Sequence, residues 1–351
     1  METNEQQPKR PGGIGAVRRQ AVNTTKLVET GLLAEGQRLP LVITPAIEGV
    51  DLAAWARDNR DQIERYQDLH GAILFRGFGL DGVEDFEAVA SAICPELFAE
   101  YGDLPPESDT ARVYGVTPYP PDKTILFHNE SSHLPTWPMK QFFFCITPAA
   151  EGGATPLYDG RVVLSMLDPE VAKAFEEKGL MYVRNFSAGV DVPWQEFFHT
   201  EDRAEVERIC AEGGMTCEWT DNALRVKNVT GGVARHPRTG ERIFFNQVQL
   251  HHVACLEPET RESLRSLFAE EDMPRNVYYG DGTPIPDEVI EHVSDVFERA
   301  CVEFQWQTGD LVAVDNMLVA HARRPYKEPR KMLVAMGEMV SADTLAGAGV
   351  S

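Results

Sequence analysis

The sequence predicts one large domain with a β-rich core and helices packed outside it. Short apolar runs typical of strands recur from the start of the chain to its end, whereas helical patterns lie mostly early and between the strands. A length of 351 residues suits one large domain or two ordinary ones. Because no Pro/Gly/Ser-rich linker divides residues 30 to 340, we expect one domain.

The predicted elements alternate along the chain. Apolar runs predict strands at residues 41–43, 71–78, 125–127, 141–146, 179–184, 311–314 and 332–336. Helical spacing predicts helices at residues 51–69, 83–93, 169–178 and 258–271. Residues 1–25 are polar without periodicity and predict a disordered arm, and residues 342–351 predict a flexible tail. The folded domain therefore spans residues 26–341.

The net charge excludes several classes of partner. Lys and Arg number 33 against 55 for Asp and Glu, which gives a formal charge of −22. A chain this acidic repels phosphate backbones and anionic lipids, so we expect neither nucleic-acid nor membrane binding. The start of the chain has no apolar signal region, and the six scattered cysteines form no C-x-x-C pair. We therefore expect reduced thiols and a cytoplasmic protein, with a homo-oligomer as one option for its assembly.

Two histidines stand out once the common motifs are found to be missing. The sequence has no P-loop, no strand-linked G-x-G-x-x-G, no H-E-x-x-H and no G-x-S-x-G. His128 lies two residues before Glu130, and on an extended segment these two side chains point to the same face. With His321 from a distant strand they can form a two-histidine, one-carboxylate iron face with open coordination positions. An exposed polar pair is the alternative reading of H-x-E by itself.

A hydroxyl and a guanidinium follow the two histidines. Thr155 lies 27 residues after His128, and Arg330 lies 9 residues after His321 at the start of a predicted strand. A hydroxyl and an arginine near iron can hold the distal carboxylate of a 2-oxo acid, since arginine offers two parallel donors to a carboxylate.

These segments together resemble the TauD/TfdA family of Fe(II)/2-oxoglutarate-dependent dioxygenases. The resemblance is carried by 127–132 (FHNESS), Trp137-Pro138, 152–161 (GGATPLYDGR), 309–311 (GDL), 315–323 (DNMLVAHAR), Pro325-Tyr326 and 329–331 (PRK). It covers roughly residues 40 to 340. The H-N-E form and the YVRN run at 182–185 are most similar to the SyrP-like branch of amino-acid and natural-product hydroxylases.

The resemblance implies a fold, cofactors and site residues. The fold is mostly β with α, a double-stranded β-helix (jelly-roll) core with flanking helices. His128, Glu130 and His321 would bind Fe(II) and be catalytic, and Thr155 and Arg330 would bind 2-oxoglutarate, with O₂ as co-substrate. The interval from His321 to the arginine is shorter than in taurine dioxygenase, so Arg323 and Arg324 remain alternatives to Arg330.

Candidate substrate residues follow two strand-like runs. Arg184 and Asn185 end one run, and Asn246 and Gln247 end another, where each pair can contact an amino-acid-like substrate or satisfy buried backbone groups. The long mixed segment at 186–220 is a candidate lid. A zinc site at His251, His252 and Cys255 is disfavoured because no second Cys/His pair has zinc spacing.

The sequence thus predicts an oxygenase acting on a small amino-acid-like substrate, free or presented by a carrier protein, in natural-product biosynthesis. Retention of Glu130 favours hydroxylation, because related halogenases have a small residue there. Desaturation, epoxidation and cyclisation with the same cofactors are the first alternative. A non-catalytic jelly-roll binding protein is the second, and a zinc hydrolase is the third.

Overall fold

The structure is a computed structural model that describes residues 27–99, 106–107, 110, 112–187, 192–220 and 223–347. The predicted arm at 1–25 lies outside the described residues, as do residues 348–351 of the predicted tail. The described start of that tail forms a short helix, Ala342–Gly347, and the backbone N–H of Ser341, just before it, donates to Thr344 Oγ1 at 2.8 Å.

The strands alternate with helices from one end of the chain to the other. The strands are β1 Val28–Leu32, β2 Leu41–Pro45, β3 Ala72–Phe75, β4 Tyr114–Gly115, β5 Ile125–His128, β6 Thr136–Thr147, β7 Glu151–Gly152, β8 Leu157–Asp159, β9 Leu180–Ser187, β10 Thr216–Trp219, β11 Ala223–Thr230, β12 Val233–Arg235, β13 Arg242–Phe244, β14 Arg275–Tyr279, β15 Leu311–Asp315, β16 Val319–Arg323, β17 Tyr326–Lys327 and β18 Lys331–Ser341. The helices are α1 Leu52–Asp58, α2 Arg60–His70, α3 Val83–Ile93, α4 Gly160–Met166, α5 Pro169–Lys178, α6 Trp194–Phe197, α7 Arg203–Glu212, α8 Val248–His251, α9 Pro258–Leu267, α10 Asp287–Ala300 and α11 Ala342–Gly347.

Most predicted elements are present, with differences at their ends. The helix predicted at 51–69 is two helices, because Asn59 ends α1 and its Nδ2 donates to the carbonyl of Trp55 at 2.8 Å. The strands predicted at 141–146 and 332–336 are longer in the structure, as β6 and β18, which pair with each other along nearly their whole length. Pairing between long strands extends both beyond the apolar run that marks them in the sequence.

Three sheets position the candidate site. A seven-stranded sheet has the order β1-β2-β3-β15-β6-β18-β4, in which only β2 and β3 are parallel. A three-stranded sheet has the order β5-β16-β8, and a four-stranded sheet has the order β10-β11-β9-β14. The remaining pairs are β12 with β13 and β17 with β7.

The large sheet is buried on both faces, which explains the unbroken apolar run in β6. Phe142 and Phe144 belong to the cluster that packs under α1 and α3, together with Trp55 and Phe86. Phe143, between them, belongs to the cluster on the opposite face, which includes residues of β8 and β16. Because neighbouring residues of a strand point to opposite faces, a strand covered on both sides must be apolar throughout.

No helix among the described residues is long and apolar enough to cross a membrane.

Candidate active site

His128 and His321 are direct neighbours across two antiparallel strands. They are register partners of β5 and β16, and their ring centroids lie 4.2 Å apart. Both side chains are nearly buried, and the ring of His321 also packs on Phe143 of the large sheet at 4.9 Å. Strand pairing therefore brings together two histidines that lie almost 200 residues apart in the chain.

Glu130 reaches the two histidines from a turn. The expectation that His128 and Glu130 lie on one extended segment is therefore wrong. Strand β5 ends at His128, and the chain turns through Ser131, which has a φ of +56°. The carboxylate Oε2 of Glu130 nevertheless lies 3.9 Å from His128 Nε2. One ligand atom from each of His128, Glu130 and His321 lies within 4.8 Å of the others.

The three side chains fit a divalent metal ion. His128 Nδ1 lies 2.8 Å from the carbonyl oxygen of Leu126, so that nitrogen carries the proton and Nε2 is left as a ligand. Burial lowers the pKa of His321 well below its usual value, and His128 lowers it further, so this imidazole is neutral. The buried Nδ1 of His321 has no hydrogen-bond partner among the described residues. Two ligands with bonds of about 2.1 Å lie at most about 4.2 Å apart on one ion, which the 3.9 Å separation allows.

Two buried asparagines hold the turn that carries Glu130. Asn316 accepts from the backbone N–H of Glu130 at 2.7 Å and donates to the carbonyls of Glu130 and Pro138 at 3.0 and 2.8 Å. Asn129 donates to the carbonyl of Asn316 at 2.7 Å. Both side chains are 0% exposed. Both asparagines lie in the motifs that contain His128, Glu130 and His321, but no sequence pattern marks their contacts with the turn.

Asn246 and Gln247 support the same turn. Gln247 Nε2 donates to the carbonyl of Asn129 at 2.8 Å, and the backbone N–H of Asn246 lies 3.4 Å from Asn129 Oδ1. The Asn246 amide donates to the carbonyl of Gly232 and accepts from the N–H of Val248. The alternative that these residues satisfy buried groups therefore accounts for their contacts better than substrate binding does.

Arg330 is the arginine best placed for 2-oxoglutarate. Its Nε donates to the carbonyl of Gly153 at 3.3 Å, and neither of its Nη atoms has a hydrogen-bond partner among the described residues. Burial lowers its pKa from the usual value. The guanidinium of Arg323 donates to the carbonyls of Tyr119, Pro120 and Lys123, and Arg324 forms ion pairs with Glu298 and Glu303.

Thr155 lies two residues from the backbone group that Arg330 contacts. Its side chain is buried, and its Oγ1 accepts from Trp306 Nε1 at 3.1 Å. Because the oxygen already accepts a hydrogen bond, its own proton is available for a carboxylate. Gly153 must be glycine here, since its φ is +70° and a Cβ would lie 3.1 Å from Arg330 Cδ and Nε.

The two residues of the first candidate substrate pair point to opposite faces of the four-stranded sheet. Asn185 donates to the carbonyls of Glu271 and Met273 and accepts from Arg225, so its amide is fully engaged on the outer face. Arg184 lies on the inner face, where its guanidinium stacks on Phe186 and Phe197 at 4.6 and 4.3 Å from the ring centroids.

The other candidate metal clusters are occupied by protein groups. Asp68, His236 and Asp315 also bring ligand atoms together, but Arg238 donates to both carboxylates, at 2.8 and 2.5 Å. His252 Nε2 lies 3.2 Å from the carbonyl oxygen of Ile285, and its Nδ1 accepts from Ala254. A zinc site at His251, His252 and Cys255 is not among the metal-capable clusters of the described residues.

Comparison with known proteins identifies the family. Residues 36–336 match the model of the taurine catabolism dioxygenase TauD, TfdA family. The chain is 38% identical over 268 residues to the dapdiamide synthesis protein DdaC of Enterobacter agglomerans, which covers 76% of this chain and 82% of that protein. It is 31% identical over 323 residues to a clavaminate synthase-like protein of Arabidopsis thaliana, which covers 86% of this chain and 94% of that protein.

Solved structures confirm the predicted fold class. PvcB from Pseudomonas aeruginosa superposes with a TM-score of 0.55 at 14% identity, covering 90% of this chain and 93% of that chain. A taurine dioxygenase from Burkholderia xenovorans gives a TM-score of 0.50 at 16% identity, covering 90% of this chain and 92% of that chain. The mostly-β jelly-roll core with flanking helices is thus the fold of this chain.

The chain belongs to the TauD/TfdA family and is an Fe(II)/2-oxoglutarate-dependent dioxygenase. Its cofactors are Fe(II) and 2-oxoglutarate, with O₂ as co-substrate.

Proposed function

We propose that this enzyme hydroxylates an unactivated C–H bond of an amino acid or an amino-acid-derived unit, free or tethered to a carrier protein, in natural-product biosynthesis. His128, Glu130 and His321 are the iron ligands in this proposal, and Thr155 and Arg330 bind 2-oxoglutarate. The observation that carries it is that His128, Glu130 and His321 bring one ligand atom each to the same place. The hydrogen bond of His128 Nδ1 leaves its Nε2 as a ligand, and the imidazole of His321 is neutral. The similarity to a dapdiamide synthesis protein supports a biosynthetic role.

The proposed reaction couples the oxidation of 2-oxoglutarate to the oxidation of the substrate by one molecule of O₂. Bound iron supplies the activation of O₂, and 2-oxoglutarate, O₂ and the substrate yield succinate, CO₂ and a hydroxylated product, each organic product receiving one oxygen atom. Arg330 offers its two Nη donors to the distal carboxylate of 2-oxoglutarate, and the Thr155 hydroxyl donates to the same group. Gln141 Nε2 lies 3.4 Å from Glu130 Oε2 and would orient the carboxylate that holds the metal.

The test is an anaerobic titration of the purified apo-protein with Fe(II) and 2-oxoglutarate, followed through the weak visible absorption band of the iron–2-oxoglutarate complex. We expect the band in the wild type and its loss, with loss of bound iron, in Glu130→Ala and His321→Ala. Arg330→Lys should keep iron and need about 10 to 100 times more 2-oxoglutarate, because one of two parallel hydrogen bonds is lost. Arg324→Lys is the matched control and should titrate as the wild type does, since Arg324 pairs with Glu298 and Glu303.

The products separate the alternatives. Succinate release with a product that gains one oxygen supports hydroxylation, and an NMR spectrum of that product distinguishes a hydroxyl from an epoxide. A product that has lost two hydrogens indicates desaturation or cyclisation. A wild-type protein that retains no iron and shows no band would favour a non-catalytic binding protein instead.

A further inference from the structure

A buried carboxylate lies at the end of β15, on the turn that leads into β16. Asp315 is the last residue of β15, and its side chain is 0% exposed. Its Oδ1 accepts from the backbone N–H groups of Met317 and Leu318, at 3.0 Å each. Its Oδ2 accepts from His236 Nε2 at 3.1 Å and from Arg238 Nη2 at 2.5 Å. One oxygen thus holds the turn itself, and the other binds two side chains from outside the turn.

The two donors to Oδ2 connect this turn to other parts of the fold. Arg238 Nε also donates to Asp68 of α2 at 2.8 Å, so one guanidinium joins two carboxylates. His236 Nδ1 accepts from the backbone N–H of Thr239 at 3.2 Å, which leaves the ring proton on the Nε2 that faces Asp315. Burial by itself would raise the pKa of Asp315, but His236 and Arg238 lower it below its usual value, so the group is ionised near pH 7. The turn is therefore held from α2 and from the loop between β12 and β13.

The same turn contains the residue that holds Glu130. Asn316 follows Asp315 directly, and its side chain bonds the backbone N–H and carbonyl of Glu130 at 2.7 and 3.0 Å. Strand β16 begins at Val319, just after the turn, and carries His321. The segment that Asp315 anchors therefore contacts one proposed iron ligand through Asn316 and leads directly into the strand of another.

Stability alone is a weak reason to bury these charges. Desolvation of a buried ion pair can cost more than the attraction returns, and apolar replacements of similar volume are often neutral or stabilising. The two bonds of Oδ1 to backbone N–H groups are those of an ordinary turn, which an asparagine makes as well as an aspartate. Only Oδ2 uses the negative charge, because it faces two donors from other elements. Such an arrangement is suited to fixing the position of a segment.

We infer that Asp315, held by Arg238 and His236, is a positioning residue for the metal centre. It fixes the turn that contains Asn316, and Asn316 fixes the backbone of Glu130. Without Arg238 the turn gains freedom, the carboxylate of Glu130 spends less time where it can bind iron, and the affinity for Fe(II) falls. This inference rests on the proposed iron ligands and extends the site to residues that do not touch the metal.

The test measures the Fe(II) affinity of the full-length apo-protein by anaerobic competition with a chromophoric chelator. In Arg238→Gln the Kd for Fe(II) should rise about 10 times, the lower end of the effect of groups that orient metal ligands. Arg238→Lys keeps the positive charge and should recover part of the loss. Asp315→Asn keeps an acceptor for the turn but sets an amide NH₂ group against two donors, and should raise the Kd at least as much. The Arg238 variants carry the test if Asp315→Asn does not fold.

Arg76→Gln is the matched control at the other end of β15. Arg76 pairs with Asp310, which immediately precedes this strand and is 1% exposed, through Nη2 and Nε at 2.6 and 2.9 Å. The side chains of Arg76 and Arg238 are similarly exposed, at 21% and 24%. This control should lose a comparable amount of stability in urea and keep the wild-type Kd for Fe(II), since the hydrogen bonds of Arg76 go to Asp310 and Gln305.

The comparison of affinity with stability separates positioning from a purely structural role. A lower urea midpoint in Arg238→Gln with an unchanged Kd for Fe(II) would overturn the inference, because the charges would then serve the fold alone. An equal rise of the Kd in Arg76→Gln would overturn it as well, since any lost ion pair would then have the same effect. Absence of Fe(II) binding in the wild type would instead contradict the proposed function.

Discussion

Two regions, the metal side with His128, Glu130 and His321 and the arginine side with Arg184 and Arg275 on the four-stranded sheet, are built in different ways. On the metal side, the three proposed ligands come from a strand pair and one turn, and buried side chains such as Asn316 and Asn129 satisfy the backbone around them. On the arginine side, Arg184 and Arg275 are set by the register of an antiparallel sheet, next to aromatic rings. The proposed metal ligands are thus held by a hydrogen-bonded turn, whereas side chains on the face of a sheet can be exchanged without disturbing that turn.

The largest expected effect is on the turn itself. Asn316→Leu leaves the N–H of Glu130 and the carbonyls of Glu130 and Pro138 without their partner, so the free energy of unfolding should fall by about 3 to 5 kcal/mol. Iron affinity should fall by about 10 to 100 times. Urea unfolding and iron titration measure the two effects.

Gln67→Leu is the matched control for that substitution. Gln67 is also 0% exposed, but its amide atoms have no hydrogen-bond partner among the described residues. Replacing it with an apolar residue of similar volume should leave stability unchanged or raise it. Equal stability of the Asn316→Leu variant and the wild type would contradict the role of Asn316 in supporting the turn.

A smaller effect is expected at Gly153, whose backbone carbonyl accepts a hydrogen bond from Arg330. Gly153→Ala puts a Cβ 2.9 Å from Ala149 Cβ and 3.1 Å from Arg330 at a φ of +70°, so stability should fall by about 2 kcal/mol and the KM for 2-oxoglutarate should rise. Gly214→Ala has a similar φ of +67° but no atom within 4 Å of its Cβ, so it should cost about 1 kcal/mol and leave KM alone. Identical KM values in the two variants would show that Gly153 does not position Arg330.

The smallest effect is the pH dependence of stability on the arginine side. The pKa of His133 is about 3 when folded against an ordinary 6.5, so the unfolded chain binds more protons between these values. The contribution of His133 to the free energy of unfolding is therefore fully present above about pH 6.5 and is lost as the pH falls. Between about pH 7.5 and about pH 5.5, His133→Gln should show a shallower decline in the free energy of unfolding, by up to about 1 kcal/mol per pH unit.

The exposed His199 provides the reference for that slope. His199→Gln makes the same exchange at an exposed position and is the matched control for the loss of an imidazole. A slope in His133→Gln equal to that of the wild type would mean that burial of this imidazole does not contribute to acid sensitivity.

Sequence reasoning was strongest where residue type and spacing define chemistry. The ligand atoms of His128, Glu130 and His321 lie within 4.8 Å of one another. Among the three arginines that the sequence left open, Arg330 is the one with free Nη donors among the described residues. Sequence-based prediction was weaker for the polar residues at the ends of strand-like runs, because the alternation of side chains along a strand decides the face to which each one points. Arg184 and Asn185 are adjacent in the chain and lie on opposite faces of one sheet. Arg275 had no motif to mark it.

The sequence by itself determined the fold class, the family, the cofactors and the residue types of the proposed metal site, because these depend on local patterns and short motifs. The tertiary structure decided which polar groups contact the turn and on which face of a sheet each side chain lies. Gln247 Nε2 donates to the backbone carbonyl of Asn129, and the backbone N–H of Asn246 contacts the side-chain oxygen of Asn129. Arg275 is beside Arg184 only through the pairing of β9 with β14. Such contacts join residues far apart in the chain, and their partners are set by sheet register and burial, which no local pattern records.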